Sequence, residues 1–217
     1  MSLNYIQQRL QSIYEIDTKH SVHDFLITDK NLADVLSCQD NPRNNDERLL
    51  ISEYESGIDL SLYISADVMN HLEDAHPVEL LEKGKYSEFC LILEGVSHFL
   101  YVVWNARHHK KITLLEMELQ AEIDKFIMMQ SLLNDECCRD GINSLQSWLF
   151  EKNKFDEMLT DSELERYKKA NYYAGKYCMN LQQQYRLQSL NNDLLKELRR
   201  FYRFVQEDKM RYINQLH

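Results

Sequence analysis

Beyond Pro77 the chain runs 140 residues to its end without another proline, and the whole 217-residue sequence holds only 5 glycines. Proline is the strongest helix breaker, because it lacks an amide hydrogen and its ring clashes with the preceding turn. A many-stranded sandwich or barrel needs turn residues every ten positions or so. Helix is therefore the dominant expectation. The 44% hydrophobic and 28% charged content sits at the globular average and excludes collagen-like, low-complexity and wholly disordered chains. The length suits one domain, or a domain with a helical appendage.

The start, MSLNYIQQRLQ, lacks the apolar stretch of a secretory leader. Cys38, Cys90, Cys137, Cys138 and Cys178 are odd in number, with no C-x-x-C pair and no histidine at zinc-finger spacing, so reduced thiols and a cytoplasmic location are expected. The longest apolar run, 89–104, is interrupted by Glu94, Ser97 and His98 and falls short of the ~20 residues that cross a bilayer. It reads as a central core helix, with no transmembrane segment.

Leu3, Ile6, Leu10, Ile13 and Tyr14 share one helical face, which predicts a first amphipathic helix. Residues 22–27 read as a short strand, and Asp29 as the cap of a short helix carrying Leu32, Val35 and Leu36. The polar stretch 38–46 reads as a loop. Alternation over 50–55, a turn at Ser56-Gly57 and alternation of Ile58, Leu60, Leu62 and Ile64 predict a β-hairpin. An isolated hairpin is marginal in water, so its apolar face must meet helices or a third strand such as 22–27.

Helices are predicted from Ala66, over 86–107, over 113–134 behind a Thr113/Glu116 capping box, and at about 142–152, 161–188 and 191–215, with Asp161 as a cap. The fold class is mainly α within α+β: a helical bundle with a small N-terminal antiparallel hairpin sheet and two long C-terminal helices. In outline, 1–160 form an acidic α+β body with hairpin 49–64 and central helices 86–107 and 113–134. Residues 161–217 form a basic helical hairpin packed on it as one domain.

Charge divides the same way: net −17 over 1–165 and +7 over 166–217. The acidic body repels phosphates within about a Debye length, which disfavours nucleic acid as a partner. On helix 191–215, Leu194, Leu198, Phe201, Val205 and Tyr212 form an apolar stripe, with Lys196, Arg199, Arg200 and Arg203 clustered opposite. These four residues are the candidate contact for an acidic protein partner, and the same helices offer a homodimer surface. Tyr173 and Tyr177 stand one turn apart beside small residues and read as helix-pair core rather than a base-stacking platform.

The sharpest chemical candidate is the pair Glu94 and His98, four apart and so on one face of an otherwise apolar helix. Burying a carboxylate and an imidazole is costly unless each has a partner, so the pair needs an explanation. Three compete: a structural pairing; a metal centre completed by Glu118 and Glu122 from the next helix, with iron, manganese or zinc as the cation; and acid–base catalysis with His98 carrying the proton and Glu94 orienting it. His20 and His23, near Asp17 and Asp24, form a weaker ligand group. Phosphate-binding glycine loops, H-E-x-x-H and G-x-S-x-G are all missing. The leading functional expectation is accordingly a non-catalytic protein-interaction or regulatory module, and the alternative a carboxylate/histidine metalloprotein or acid–base enzyme.

Overall fold

The computed structural model describes residues 3–37, 45–55, 57–73, 86–135, 145–151, 155, 158–185 and 190–216. Helix α1, Leu3–Tyr14, buries Leu3, Ile6, Leu10 and Ile13 as its spacing predicts. It stops at Glu15, whose left-handed φ of 51° lets the Ile16 amide donate to the Gln11 carbonyl at 3.0 Å.

Of the predicted strand 22–27, the first four residues instead form a 3₁₀ turn capped by Ser21, whose hydroxyl accepts from the His23 amide. A short polar side chain that bonds its own backbone favours a turn over a ladder. Only β1, Leu26–Ile27, is extended. Asp29 caps α2, Lys30–Leu36, by accepting from the Asn31 and Leu32 amides. Ala33 is the buried residue of α2, while Leu32, Val35 and Leu36 are exposed.

The hairpin forms from β2, Glu47–Tyr54, and β3, Gly57–Ile64, paired antiparallel. Strand β1 joins parallel to β3, Leu26 opposite Leu62, in the order β1-β3-β2. The sheet is thus mixed and not purely antiparallel, because β3 pairs in opposite senses with its two neighbours. Leu62 and Ile64 are fully buried, whereas Ile58, at the turn end of the same face, is 42% exposed. The hairpin therefore meets the helices at one end only.

Helix α3 spans Ala66–Glu73, α4 Tyr86–Arg107 and α5 Leu114–Asp135. Most of α4 is buried all round. It is long and apolar enough to cross a membrane, and 78% of its apolar window is covered by protein, as in the core helix of a globular fold. The capping box of α5 forms, with the Thr113 amide donating to Glu116 Oε2 at 2.8 Å and the Glu116 amide to Thr113 Oγ1 at 3.1 Å. Of the segment expected at 142–152, residues 147–151 form a π-turn.

Helix α6, Asp161–Tyr185, is capped by Thr160 with Glu163, not by Asp161, which is its first helical residue. Ala170 and Ala174 are fully buried, and Gly175 admits Phe150 to 3.2 Å from where a Cβ would stand. Tyr177 stacks on Phe201 with centroids 4.0 Å apart, whereas Tyr173 contacts the exposed Tyr172. The single long helix expected over 191–215 is broken into α7, Asn192–Tyr202, and α8, Gln206–Gln215. At the break, the Arg203 and Phe204 amides turn to carbonyls three residues back. Val205 leaves the apolar stripe and becomes the N-terminal boundary of α8.

That break aims Lys209 inward. Its side chain is fully buried, 4.7 Å from the Tyr101 ring and 5.1 Å from the Phe201 ring, and donates to Gln120 Oε1 at 3.1 Å. Burial pulls its pKa down to about 7, against the attraction of Glu116 and Asp124 and with Lys110 adding repulsion. The folded chain therefore holds fewer protons here than the unfolded chain between about pH 7 and the ordinary lysine range. The group's stabilising contribution is complete above that range and is lost as pH falls through about 7. Unfolding free energy measured by urea titration is expected to gain up to about 1.4 kcal/mol per pH unit from this group between pH 7.5 and 9.5. In Lys209→Met that increment disappears; an unchanged slope would show that Lys209 keeps its proton in the folded chain as it does in the unfolded one.

Cys90 and Cys178 are buried free thiols, and burial pushes Cys90 up to about 12. Cys38, Cys137 and Cys138 lie outside the described residues.

Candidate metal centre

Helix α4 passes beneath the end of the hairpin at Gly95. A Cβ there would stand 2.9 Å from Leu62 Cδ1 and 3.0 Å from Glu47 Cγ. The missing side chain lets Glu47, the first residue of β2, reach the faces of Glu94 and His98 on either side of that glycine. One ligand atom from each of Glu47, Glu94 and His98 lies within 4.8 Å of the others.

His98 is 5% exposed, with Nδ1 3.8 Å from Glu47 Oε1 and Nε2 3.6 Å from Glu118 Oε2. Both separations exceed a hydrogen bond. His98 Nε2 and Glu47 Oε1 are buried atoms with no hydrogen-bond partner among the described residues. Buried polar atoms are ordinarily satisfied, so a group of unsatisfied ones in one place marks where a ligand fits. Arg166 Nε stands 3.8 Å from Glu118 Oε1 on the other side.

Glu122, one turn beyond Glu118 on α5, belongs to a neighbouring pairing. Lys125 Nζ is 2.7 Å from Glu122 Oε1 and 3.0 Å from Glu94 Oε2. Of the four residues expected to share a cation, Glu94 and His98 converge, Glu118 flanks the ring of His98, and Glu122 holds a lysine. Glu47, Lys125 and Arg166 complete the cluster and were not among the sequence-based candidates.

The electrostatics favour positive charge at two points. Burial opposes charging His98, but Glu118 and Glu47 outweigh it and hold the imidazole well above its ordinary range. Burial likewise opposes charging Lys125, and Glu122 with Glu94 outweighs it. Glu47 is raised by burial against the pull of His98. Glu94 is lowered, because Lys125 and His98 overcome the burial that would raise it.

This cluster forms part of the wall of a cavity of 1340 Å³ between β2, α4, α5 and the start of α6, to which Leu91, Met117, Trp148 and Tyr167 supply apolar and aromatic surface. A large cavity with a few convergent polar groups is the usual form of a ligand site.

The basic residues of α7 are engaged within the chain. Arg199 donates to the Ile13 and Ser12 carbonyls and pairs with Glu15, and Arg203 donates to the Tyr14 and Glu15 carbonyls. Together they cap the C-terminus of α1, whose last carbonyls have no partner in their own helix. Arg200 bonds Glu197 and the Tyr212 hydroxyl, and Lys196 pairs with Asp193 at the surface. His20 and His23 are exposed, and the His20 ring packs edge-on to Phe25.

No protein-family model matches this chain, and neither a curated protein nor a solved structure matches it at a significant level.

Proposed function

We propose that this chain is a helical carboxylate/histidine metalloprotein that presents a divalent cation to a small ligand in the cavity. The observation that carries the reading is the convergence of Glu47, Glu94 and His98 from two different elements around buried, unsatisfied donor atoms. Oxygen-rich ligands with one imidazole suit manganese(II), iron(II) or zinc(II). With His98 Nδ1 on the side of Glu47, the opposite nitrogen faces Glu118, which is the arrangement in which a carboxylate fixes the tautomer and orientation of a ligating histidine. Arg166 in turn steadies Glu118. A cation held in a cavity wall supplies Lewis acidity toward a bound water, carbonyl or phosphoryl oxygen.

Partner capture through Lys196, Arg199, Arg200 and Arg203 has less support, because that reading needs cations free to meet a partner and Arg199 and Arg203 already cap α1.

Equilibrium dialysis of chelator-free protein against manganese(II) and zinc(II) tests the metal reading. Saturable binding is expected in wild type, weakened about 10- to 100-fold in Glu118→Gln, which keeps the shape but removes the charge that orients His98. Absence of saturable binding in wild type would end the proposal. Unchanged affinity in the variant would remove Glu118 from it.

A further inference from the structure

We infer that the Lys125 ammonium occupies the second cation position of this carboxylate cluster and so holds the centre to a single metal ion. The inference rests on the metal reading above and specifies its nuclearity. Two-metal centres place their ions roughly 3.5–4 Å apart, joined by shared carboxylates. Here the carboxyl group of Glu94 is shared in that sense: it belongs to the group formed with Glu47 and His98, and it also accepts from Lys125 at 3.0 Å. On its far side Lys125 is bound at 2.7 Å by Glu122, which stands one turn along α5 from Glu118. The ammonium thus sits between two carboxylates that would otherwise be free to take up a second ion.

Charge balance leads to the same conclusion. Glu47, Glu94, Glu118 and Glu122 bring four negative charges, with Lys125 and Arg166 the permanent cations beside them. One divalent ion, bound with His98 as a neutral ligand, brings the cluster to neutrality. A second divalent ion beside a charged Lys125 leaves two positive charges in a largely buried site, which is unfavourable at low local dielectric. Without the ammonium, one bound ion leaves one negative charge uncompensated, together with Glu94 and Glu122 unpaired. That combination is what draws in a second cation. The site is more than an acidic cluster, because the 5% exposed imidazole of His98 lines the cavity among these carboxylates, and Glu47 Oε1, on the Nδ1 side of its ring, is a buried atom with no hydrogen-bond partner among the described residues.

The experiment is manganese(II) titration of wild type, Lys125→Met and Lys125→Arg. Stoichiometry is read by elemental analysis, nuclearity by electron paramagnetic resonance, and folding by circular dichroism. Wild type and Lys125→Arg are expected to bind one ion and give the signal of an isolated manganese. Folded Lys125→Met is expected to bind two and to give an exchange-coupled spectrum. Two ions in wild type, or one isolated ion in folded Lys125→Met, would overturn the inference. Lys125→Gln, which fills the space with a neutral polar group, substitutes for the Met variant if that chain does not fold, with the same two outcomes. Wild type that binds no manganese or zinc removes the metal reading itself, a result distinct from a wild type that binds two.

Discussion

Gly95→Val is expected to abolish high-affinity metal binding and to lower stability by about 2–3 kcal/mol, the range for forcing extra methyl groups into a packed interior. The glycine is the point where α4 and the hairpin touch, and a Cβ there would also stand 3.1 Å from Glu47 Oε1. Valine adds two further carbons to that contact. The Leu62 side chain and Glu47 must then both move, which separates the carboxylate contributed by the sheet from the side chains contributed by the helix. Gly95→Ala divides the two effects. Alanine gains about 1 kcal/mol of helix propensity, which offsets a modest clash with flexible side-chain ends. Its stability is therefore expected near wild type while its metal affinity falls. Denaturant titration and dialysis on the same samples measure both quantities. Wild-type affinity in Gly95→Val would show that Glu47 is not a ligand.

Asp124→Ala is expected to cost on the order of 4 kcal/mol, read from urea unfolding, because three buried donors lose a common acceptor. Asp124 sits one turn from Gln120 on α5 and accepts from the Tyr14 hydroxyl, from Ser97 Oγ at 2.5 Å and from Gln120 Nε2 at 2.9 Å. These bonds tie α1, α4 and α5 together within the apolar core. Burial raises its pKa to about 6 against the pull of those same donors and of Lys209. The folded chain therefore binds this proton more tightly than the unfolded one. The resulting contribution is complete below the ordinary aspartate range and is lost as pH rises through about 6. Wild type should accordingly show, relative to Asp124→Ala, a stability advantage that shrinks between pH 4 and 6.

The parts of this architecture set by local sequence were legible in it. Helix α1, the Asp29 cap, the Thr113/Glu116 box and the hairpin all depend on residues within a few positions of one another, and each is found where the spacing places it. So was the placing of Glu94 and His98 near one another on one helix, since four-residue spacing needs no knowledge of the fold.

What failed to show in the sequence depends on distant contacts. Glu47 is a hairpin residue 47 positions before Glu94, and nothing in its own neighbourhood marks it as a neighbour of His98. The available signal was Gly95, a helix-weakening residue beside the carboxylate in the apolar middle of a core helix, which announces close approach by another backbone or side chain. Lys125 was visible as the third residue after Glu122, yet its pairing across to Glu94 depends on the crossing of α4 and α5. The basic face of α7 was equally visible as an amphipathic pattern. Its use in capping α1 joins residues 186 positions apart in sequence, a relation no local period carries.

The central claim is that Glu47, Glu94 and His98 hold a metal ion. The most direct measurement is elemental analysis by plasma mass spectrometry of tag-free protein purified without chelator, comparing wild type with Glu94→Gln and His98→Gln. Near-stoichiometric manganese, iron or zinc in wild type, and its loss in both folded variants, is the predicted result. Metal-free, folded wild type that takes up none of the three when they are added would contradict the claim and leave the cluster a network of buried ion pairs between helices.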